Sequence, residues 1–290
     1  MTITVIGATG RVGSAVVQRL LDAHAVVRVL VRDPDKAKRL FGDNPLLESV
    51  RIHLDDPSAV STGLSGSDAV FVAMGSIGAE ANLQRIVIQA AAATPGLRQL
   101  VRLSVLNAGP DSLGINQRGH WSLDFAAQVA GVPYTTIRPA IFSASMLAGA
   151  PEIKMSRTWT GLAGTGRVAL IDYRDAADAA VRVLSEPAAW GQHYDLTGPR
   201  QVSWPEALQT LSTELGENVT FRTASAIELI QSLTQAGVAP GQAELLVTRE
   251  WAIMARENER TTGTVRELTG HQPRTIEEFF HENRDLFRSG

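Results

Sequence analysis

The sequence predicts an α/β fold: a doubly wound parallel sheet through the first half, followed by a smaller, mostly helical C-terminal lobe. Three observations predict it. Short, β-branched apolar runs recur through the first half, amphipathic stretches of helical period separate them, and a set of spaced glycines follows the first run directly. Continuous apolar runs suit strands buried on both faces, as inside a parallel sheet. Strand, helix and strand repeated in this way close with right-handed crossovers.

Taken in order, the first strand is expected over residues 3–6. Val12, Val16 and Leu20 then recur every four positions and form the buried stripe of the first helix. A second strand is expected over 26–31 and a third over 50–54. Asp56 and Pro57 read as the N-cap and first residue of the next helix. The fourth strand is expected over 69–73, followed by a helix with Leu83, Val87 and Ala91 on one face. The fifth and sixth strands are expected over 99–104 and 134–138. After about residue 142 the pattern changes, and Gly149, Pro151, Gly161, Gly164 and Gly166 mark a loop-rich stretch. A strand over 167–171, a helix over 174–184 and a strand over 193–196 follow. From Ser203 the reading is mostly helical, ending in a helix over 276–287. Residues 1–150 are thus read as the sheet domain and 151–290 as a smaller substrate or partner lobe, with 167–198 returning to the sheet.

Composition narrows the function classes. Of the 290 residues, 44% are hydrophobic and 20% charged, which is ordinary for a globular chain. There is no cysteine, so disulfides and thiolate metal sites are excluded. A net charge of -3 gives no general attraction to nucleic acid or anionic lipid. No basic leader precedes the first strand and no apolar run is long enough for a membrane span, so a cytoplasmic location is expected. No His, Asp and Glu cluster has metal-ligand spacing, and no Gly-x-Ser-x-Gly elbow occurs.

Chemistry enters with Gly7-Ala8-Thr9-Gly10-Arg11-Val12-Gly13, placed between the first strand and the first helix. In such a loop the first glycine makes the tight turn, the second lets the backbone approach a pyrophosphate, and the third lets the helix pack on the strand. The free N–H groups of the helix start then face the phosphates. The context is that of a Rossmann dinucleotide site. At the end of the second strand an acid would accept from a ribose hydroxyl. Here Arg32 stands in that place, next to Asp33, and Arg11 and Lys36 are further cations. Arginine favours a 2′-phosphate, so NADP(H) is expected as the preferred cofactor, with NAD(H) possible.

The chain resembles the NmrA-like family of atypical short-chain dehydrogenases, and within it the type 2 NAD(P)H:quinone oxidoreductases. The matching residues are the Gly7–Gly13 loop, Val29-Leu30-Val31-Arg32-Asp33-Pro34, Asp55-Asp56-Pro57 through Phe71, and His120-Trp121. Gly131-Val132-Pro133-Tyr134 through Pro139, Tyr194-Asp195-Leu196-Thr197-Gly198-Pro199 and Pro273-Arg274-Thr275-Ile276 through Phe279 complete them. The resemblance implies that Leu54 and Asp55 lie beside the adenine. It implies that Ala73, Met74 and Gly75, then Ser104 and Val105, then Pro139, Ala140 and Phe142, line the cofactor.

Short-chain dehydrogenases commonly use a Tyr-x-x-x-Lys pair for proton exchange with a substrate hydroxyl. In this chain Tyr134 is followed four residues later by Arg138, Tyr173 by Ala177 and Tyr194 by Gly198, so the pair is absent. Oxidising an alcohol needs such a base. Reducing a quinone or another conjugated acceptor does not, because the acceptor delocalises the incoming electron pair and water supplies protons. Hydride transfer from NADPH to a small conjugated acceptor is therefore expected. The alternative is a non-catalytic NADP-binding redox sensor of the NmrA type with a regulatory protein partner and an exposed apolar patch. Neither reading calls for direct nucleic acid binding. His120 lies where the catalytic pair would otherwise sit and is a candidate proton donor with Asp124 to orient it, or else a structural residue of the helix start. Trp121, Phe142, Met146 and Trp159 are either an apolar wall for a planar substrate or core. Asp172 and Asp175 are read as helix-opening residues.

Overall fold

The computed structural model describes residues 1–288. It begins with β1 (Thr2–Ile6), α1 (Arg11–Asp22), β2 (Val26–Val31), α2 (Pro34–Phe41), β3 (Leu47–Arg51), α3 (Pro57–Leu64), β4 (Ala69–Val72), α4 (Gly78–Ala93), β5 (Gln99–Leu103), α5 (Ile115–Val129) and β6 (Tyr134–Pro139). There follow α6 (Ala150–Ser156), β7 (Thr158–Gly161), α7 (Tyr173–Ser185), β8 (His193–Leu196), α8 (Trp204–Leu215) and β9 (Thr220–Thr223). The chain ends with α9 (Ala226–Gln235), α10 (Pro240–Met254), α11 (Thr264–Thr269) and α12 (Ile276–Asn283). Seven strands form one sheet in the order β3-β2-β1-β4-β5-β6-β8, with every pairing parallel. The order reverses between β1 and β4, and that switch point is where such sheets take ligands.

The helices cover both faces because their apolar residues recur at helical period. On one face Val12, Val16, Val17 and Leu20 of α1 pack with Ala176, Ala180 and Val183 of α7. On the other, Val60 and Leu64 of α3, Val87, Ile88 and Ala91 of α4 and Leu123 and Ala127 of α5 close the core. Each fully buried Val or Leu contributes roughly 1.5–3 kcal/mol. Asp56 caps α3 as expected, accepting from the N–H groups of Ser58 and Ala59 at 2.9 and 3.1 Å.

Three expectations need correction. The third strand runs three residues earlier than expected. Asn44 accepts from Leu46 N at 2.9 Å and turns the chain so that Leu47 pairs with Val27. Because β3 is an edge strand and half exposed, its residues do not form an apolar run. Residues 167–171 make only isolated bridges, Val168 to Val202 and Ile171 to Phe142. This segment has a different partner at each end, so no ladder forms. Two strands were not expected at all: β7 and β9 pair in parallel in a small second sheet. That sheet, with α6, α8 and α12, packs around Trp204, Leu208, Phe280 and Phe287 to form the core of the C-terminal lobe.

Candidate dinucleotide site

The glycine loop is compressed between two elements. Gly7 has φ +80°, and a Cβ there would stand 2.0 Å from the carbonyl oxygen of Ala73. A Cβ on Gly13 would stand 2.1 Å from Gly7 O. Both contacts are with backbone and cannot yield, so α1 starts directly behind the end of β1. Gly10 is the N-cap of α1 and offers no side-chain cap. The first N–H groups of the helix are therefore left to face whatever lies in front of them, an arrangement that suits an anion.

A cleft of about 920 Å³ opens there, at the carboxyl ends of the strands. Gly7, Ala8, Thr9, Gly10, Arg11, Val12 and Gly13 line it from β1 and α1. Arg32 and Lys36 line it beyond β2, Leu54 and Asp55 beyond β3, and Ala73, Met74 and Gly75 beyond β4. Phe142 lines it beyond β6. His53, Ala79, Glu80, Leu83 and Leu103 belong to the same wall, although sequence reasoning did not place them there. The signal for Ala79, Glu80 and Leu83 was available, since the helix after β4 must begin at the strand ends.

Ser104, Val105, Pro139 and Ala140 lie outside that lining. Ser104 is buried and its hydroxyl donates to Asp124 Oδ2 at 2.9 Å. The carbonyl of Val105 accepts from Ala108 N and that of Pro139 from Leu106 N, while Ala140 N donates to Leu196 O. All four are thus tied into the hydrogen bonding just beyond the ends of β5 and β6.

Electrostatics distinguish the two ends of the cleft. At the β2 end, Arg32 and Lys36 are exposed, and neither side chain has an ion-pair partner among the described residues. Asp33, which stood beside them as a rival acceptor, is already committed. Its carboxylate caps α2, accepting from Asp35 N at 3.0 Å and Lys36 N at 3.1 Å. The Lys36 N–H holds the Asp33 carboxyl below its usual range. Arg11 lies 5.9 Å from the Tyr173 ring centroid, stacked toward its face. The other end is lined by Met74, Leu83, Leu103 and Phe142, with the Glu80 carboxylate against Gly75.

His120 is buried and faces inward from α5. Burial, reinforced by the Arg102 guanidinium, pushes its pKa down to about 3, so at neutral pH it carries no second proton to give. Asp124 does not orient it. That carboxylate pairs instead with Arg102, accepts from Ser104, and lies 3.3 Å from Arg138 Nη2. The His120 Nδ1 atom has no hydrogen-bond partner among the described residues.

Only Phe142 of the expected apolar wall lines the cleft. Met146 is fully buried in the C-terminal core, and Trp159 packs against Trp204 at 5.2 Å between ring centroids. Trp121 stacks on Phe125 one turn along α5, at 5.6 Å. Asp172 caps α7, accepting from Arg174 N at 2.8 Å. Asp175, Asp178 and His271 converge closely enough to suggest a metal site, which their sequence spacing did not reveal. Arg19 and Arg274 already pair with those carboxylates and put positive charge where an ion would sit.

Residues 7–187 match a family described as NAD(P)H-binding. The chain is 32% identical to a (4-alkanoyl-5-oxo-2,5-dihydrofuran-3-yl)methyl phosphate reductase of Streptomyces griseus, over 98% of this chain and 99% of that one. It is 30% identical to an NAD(P)H azoreductase of Xenophilus azovorans, over 96% of each chain. The structure superposes with a TM-score of 0.90 on an NADPH-dependent quinone oxidoreductase of Escherichia coli solved with NADPH, at 26% identity over 97% of this chain and 99% of that one. With its glycine loop, its seven parallel strands and these relatives, the chain belongs to the NAD(P)H-binding family.

Proposed function

We propose that this chain is an NADPH-dependent reductase that transfers hydride directly to a small conjugated, electron-poor acceptor of the quinone type. One observation carries the reading: the cleft has an uncapped helix start and two unpaired cations at one end, and no tyrosine–lysine pair at the other. In this reading the N–H groups after Gly10 hold the pyrophosphate, and Arg32 and Lys36 hold the 2′-phosphate. Leu54 and Asp55 flank the adenine. Ala73, Met74, Gly75 and Phe142 bound the nicotinamide side and exclude water there. The bound dinucleotide supplies a hydride, and the protein supplies proximity and orientation. No proton passes through His120. The acceptors named for the relatives, an oxo-dihydrofuran, an azo compound and a quinone, share a conjugated system that spreads the arriving charge. This supports a reaction without an acid–base pair.

The test is NADPH oxidation, followed by absorbance, with a panel of quinones, azo dyes and unsaturated lactones and with NADH as control. Acceptor-dependent oxidation, faster with NADPH, is the expected result. A second reading, a non-catalytic NADP-binding sensor with a protein partner, draws support from α5, where Phe125 is 52% and Val129 70% exposed beside Trp121. Tight binding of NADPH and NADP⁺ with no turnover on any acceptor would favour that reading over the first.

A further inference from the structure

Strand β5 is buried in the middle of the sheet, yet it carries Arg102 with no exposure at all. A guanidinium in that position needs partners on the spot. One is Asp124 of α5. The other is Gln84 of α4, whose Oε1 accepts from Arg102 Nη2 at 2.9 Å and Nε at 3.3 Å. Gln84 is itself buried. With its oxygen held by Arg102, the orientation of its amide is fixed. Nε2 then donates to Gly75 O at 2.7 Å and to Met74 O at 3.2 Å.

Those two carbonyls belong to the segment between β4 and α4 that lines the cleft. The segment has no regular structure of its own to set its peptide planes. In a doubly wound sheet a dinucleotide straddles the switch point. Arg32 and Lys36 place the adenine half beyond β2, so the segment beyond β4 faces the nicotinamide half. We propose that Gln84, oriented by Arg102, is a positioning residue that holds the Met74–Gly75 backbone in the shape that receives the nicotinamide end of the cofactor. This rests on the reading of the cleft as an NADPH site.

Two ligands separate this role from a general effect on folding. NADPH fills both halves of the cleft, while adenosine 2′,5′-bisphosphate fills only the adenine half. In Gln84→Met, which keeps the length and loses the amide, the Kd for NADPH is expected to rise about tenfold, the scale of one to two lost buried hydrogen bonds. The Kd for adenosine 2′,5′-bisphosphate is expected to stay unchanged. Equal weakening of both ligands, or of neither, overturns the proposal. Should Gln84→Met fail to fold, Gln84→Glu is measured in the same way, since its carboxylate still accepts from Arg102 but has no N–H for the two carbonyls. The same selective loss is expected there, and an equal change overturns the proposal. Wild-type protein that binds neither ligand overturns the reading of the cleft itself, and this inference with it.

Discussion

Arg32 and Lys36 show how far single residues can be read from sequence. An arginine at the end of the second strand reads from sequence as a candidate phosphate ligand, but that the Asp33 carboxylate is engaged by the α2 N-terminus is seen only in the structure. Charge-assisted hydrogen bonds to phosphate are worth about 1.5–3 kcal/mol each. Arg32→Ala is therefore expected to raise the Kd for NADPH roughly ten- to a hundredfold and to leave NADH binding unchanged. Equal losses for both would show that Arg32 does not read the 2′-phosphate. His120 teaches the opposite lesson. Its i,i+4 relation to Asp124 was visible, but Arg102 and Arg138 arrive from other elements and take that carboxylate. The consequence is measurable. Burial drops the His120 pKa from 6.5 to about 3, so between those values the unfolded chain binds a proton that the folded chain refuses. The stability owed to the neutral ring is complete above pH 6.5 and is lost as pH falls below it. Between pH 7.5 and pH 5, wild type should lose roughly 2 kcal/mol more in denaturant unfolding than His120→Leu. Parallel losses in the two proteins would mean that the ring is not held neutral by the fold.

Elements were legible where both their period and their partner were local. The β1–loop–α1 unit, the cap at Asp56 and the helix behind Asp172 all follow from a few adjacent residues. Elements whose identity depends on a distant partner were not legible. Thr158–Gly161 and Thr220–Thr223 are four residues each and pair only with one another across the chain, so no local period marked them as strands. The charged residue inside β5 was a readable sign of a buried network, although its partners were not. The tie between α7 and the segment that leads into α12 belongs to the same long-range class. Arg274, just before α12, pairs with the fully buried Asp175 of α7, and its backbone N–H donates to the same carboxylate at 2.8 Å. Burial pushes the Asp175 carboxyl above its usual range, and Arg274 offsets part of that rise. Removing one partner of a buried pair costs more than removing both, because the remaining charge is left without compensation. Arg274→Met is expected to cost about 3 kcal/mol in urea unfolding. Adding Asp175→Asn to it should restore part of that loss. If the double variant were less stable than the single one, the buried charge would not be the cause.

At the scale of the whole molecule, the C-terminal residues build a core of their own around Trp204 and Phe280, which the sequence showed only as a smaller helical lobe. Contacts between residues about 150 positions apart leave no mark on local periodicity. One such set of contacts ties the C-terminal residues to the segment between β5 and α5. Glu257, just after α10, accepts from Ser112 Oγ at 2.6 Å and from Leu113 N at 3.0 Å, and its backbone carbonyl accepts from the Asn107 side chain. The segment between β5 and α5 is thus strapped to the C-terminal lobe by one residue. That segment has little regular structure of its own, so its order depends on the strap, whereas β1 and β5 are held by ladders on both sides. Local opening of a segment is governed by the bonds that hold that segment and not by global stability. Losing the carboxylate removes two hydrogen bonds to the loop, of about 1 kcal/mol each or somewhat more because the acceptor is charged. In Glu257→Ala, amide hydrogen exchange at residues 107–114 is therefore expected to speed up roughly thirtyfold, with exchange in β1 and β5 unchanged. Faster exchange across the whole sheet would make Glu257 a contributor to global stability instead of a strap. Unchanged exchange in the loop would mean that the lobe does not order it.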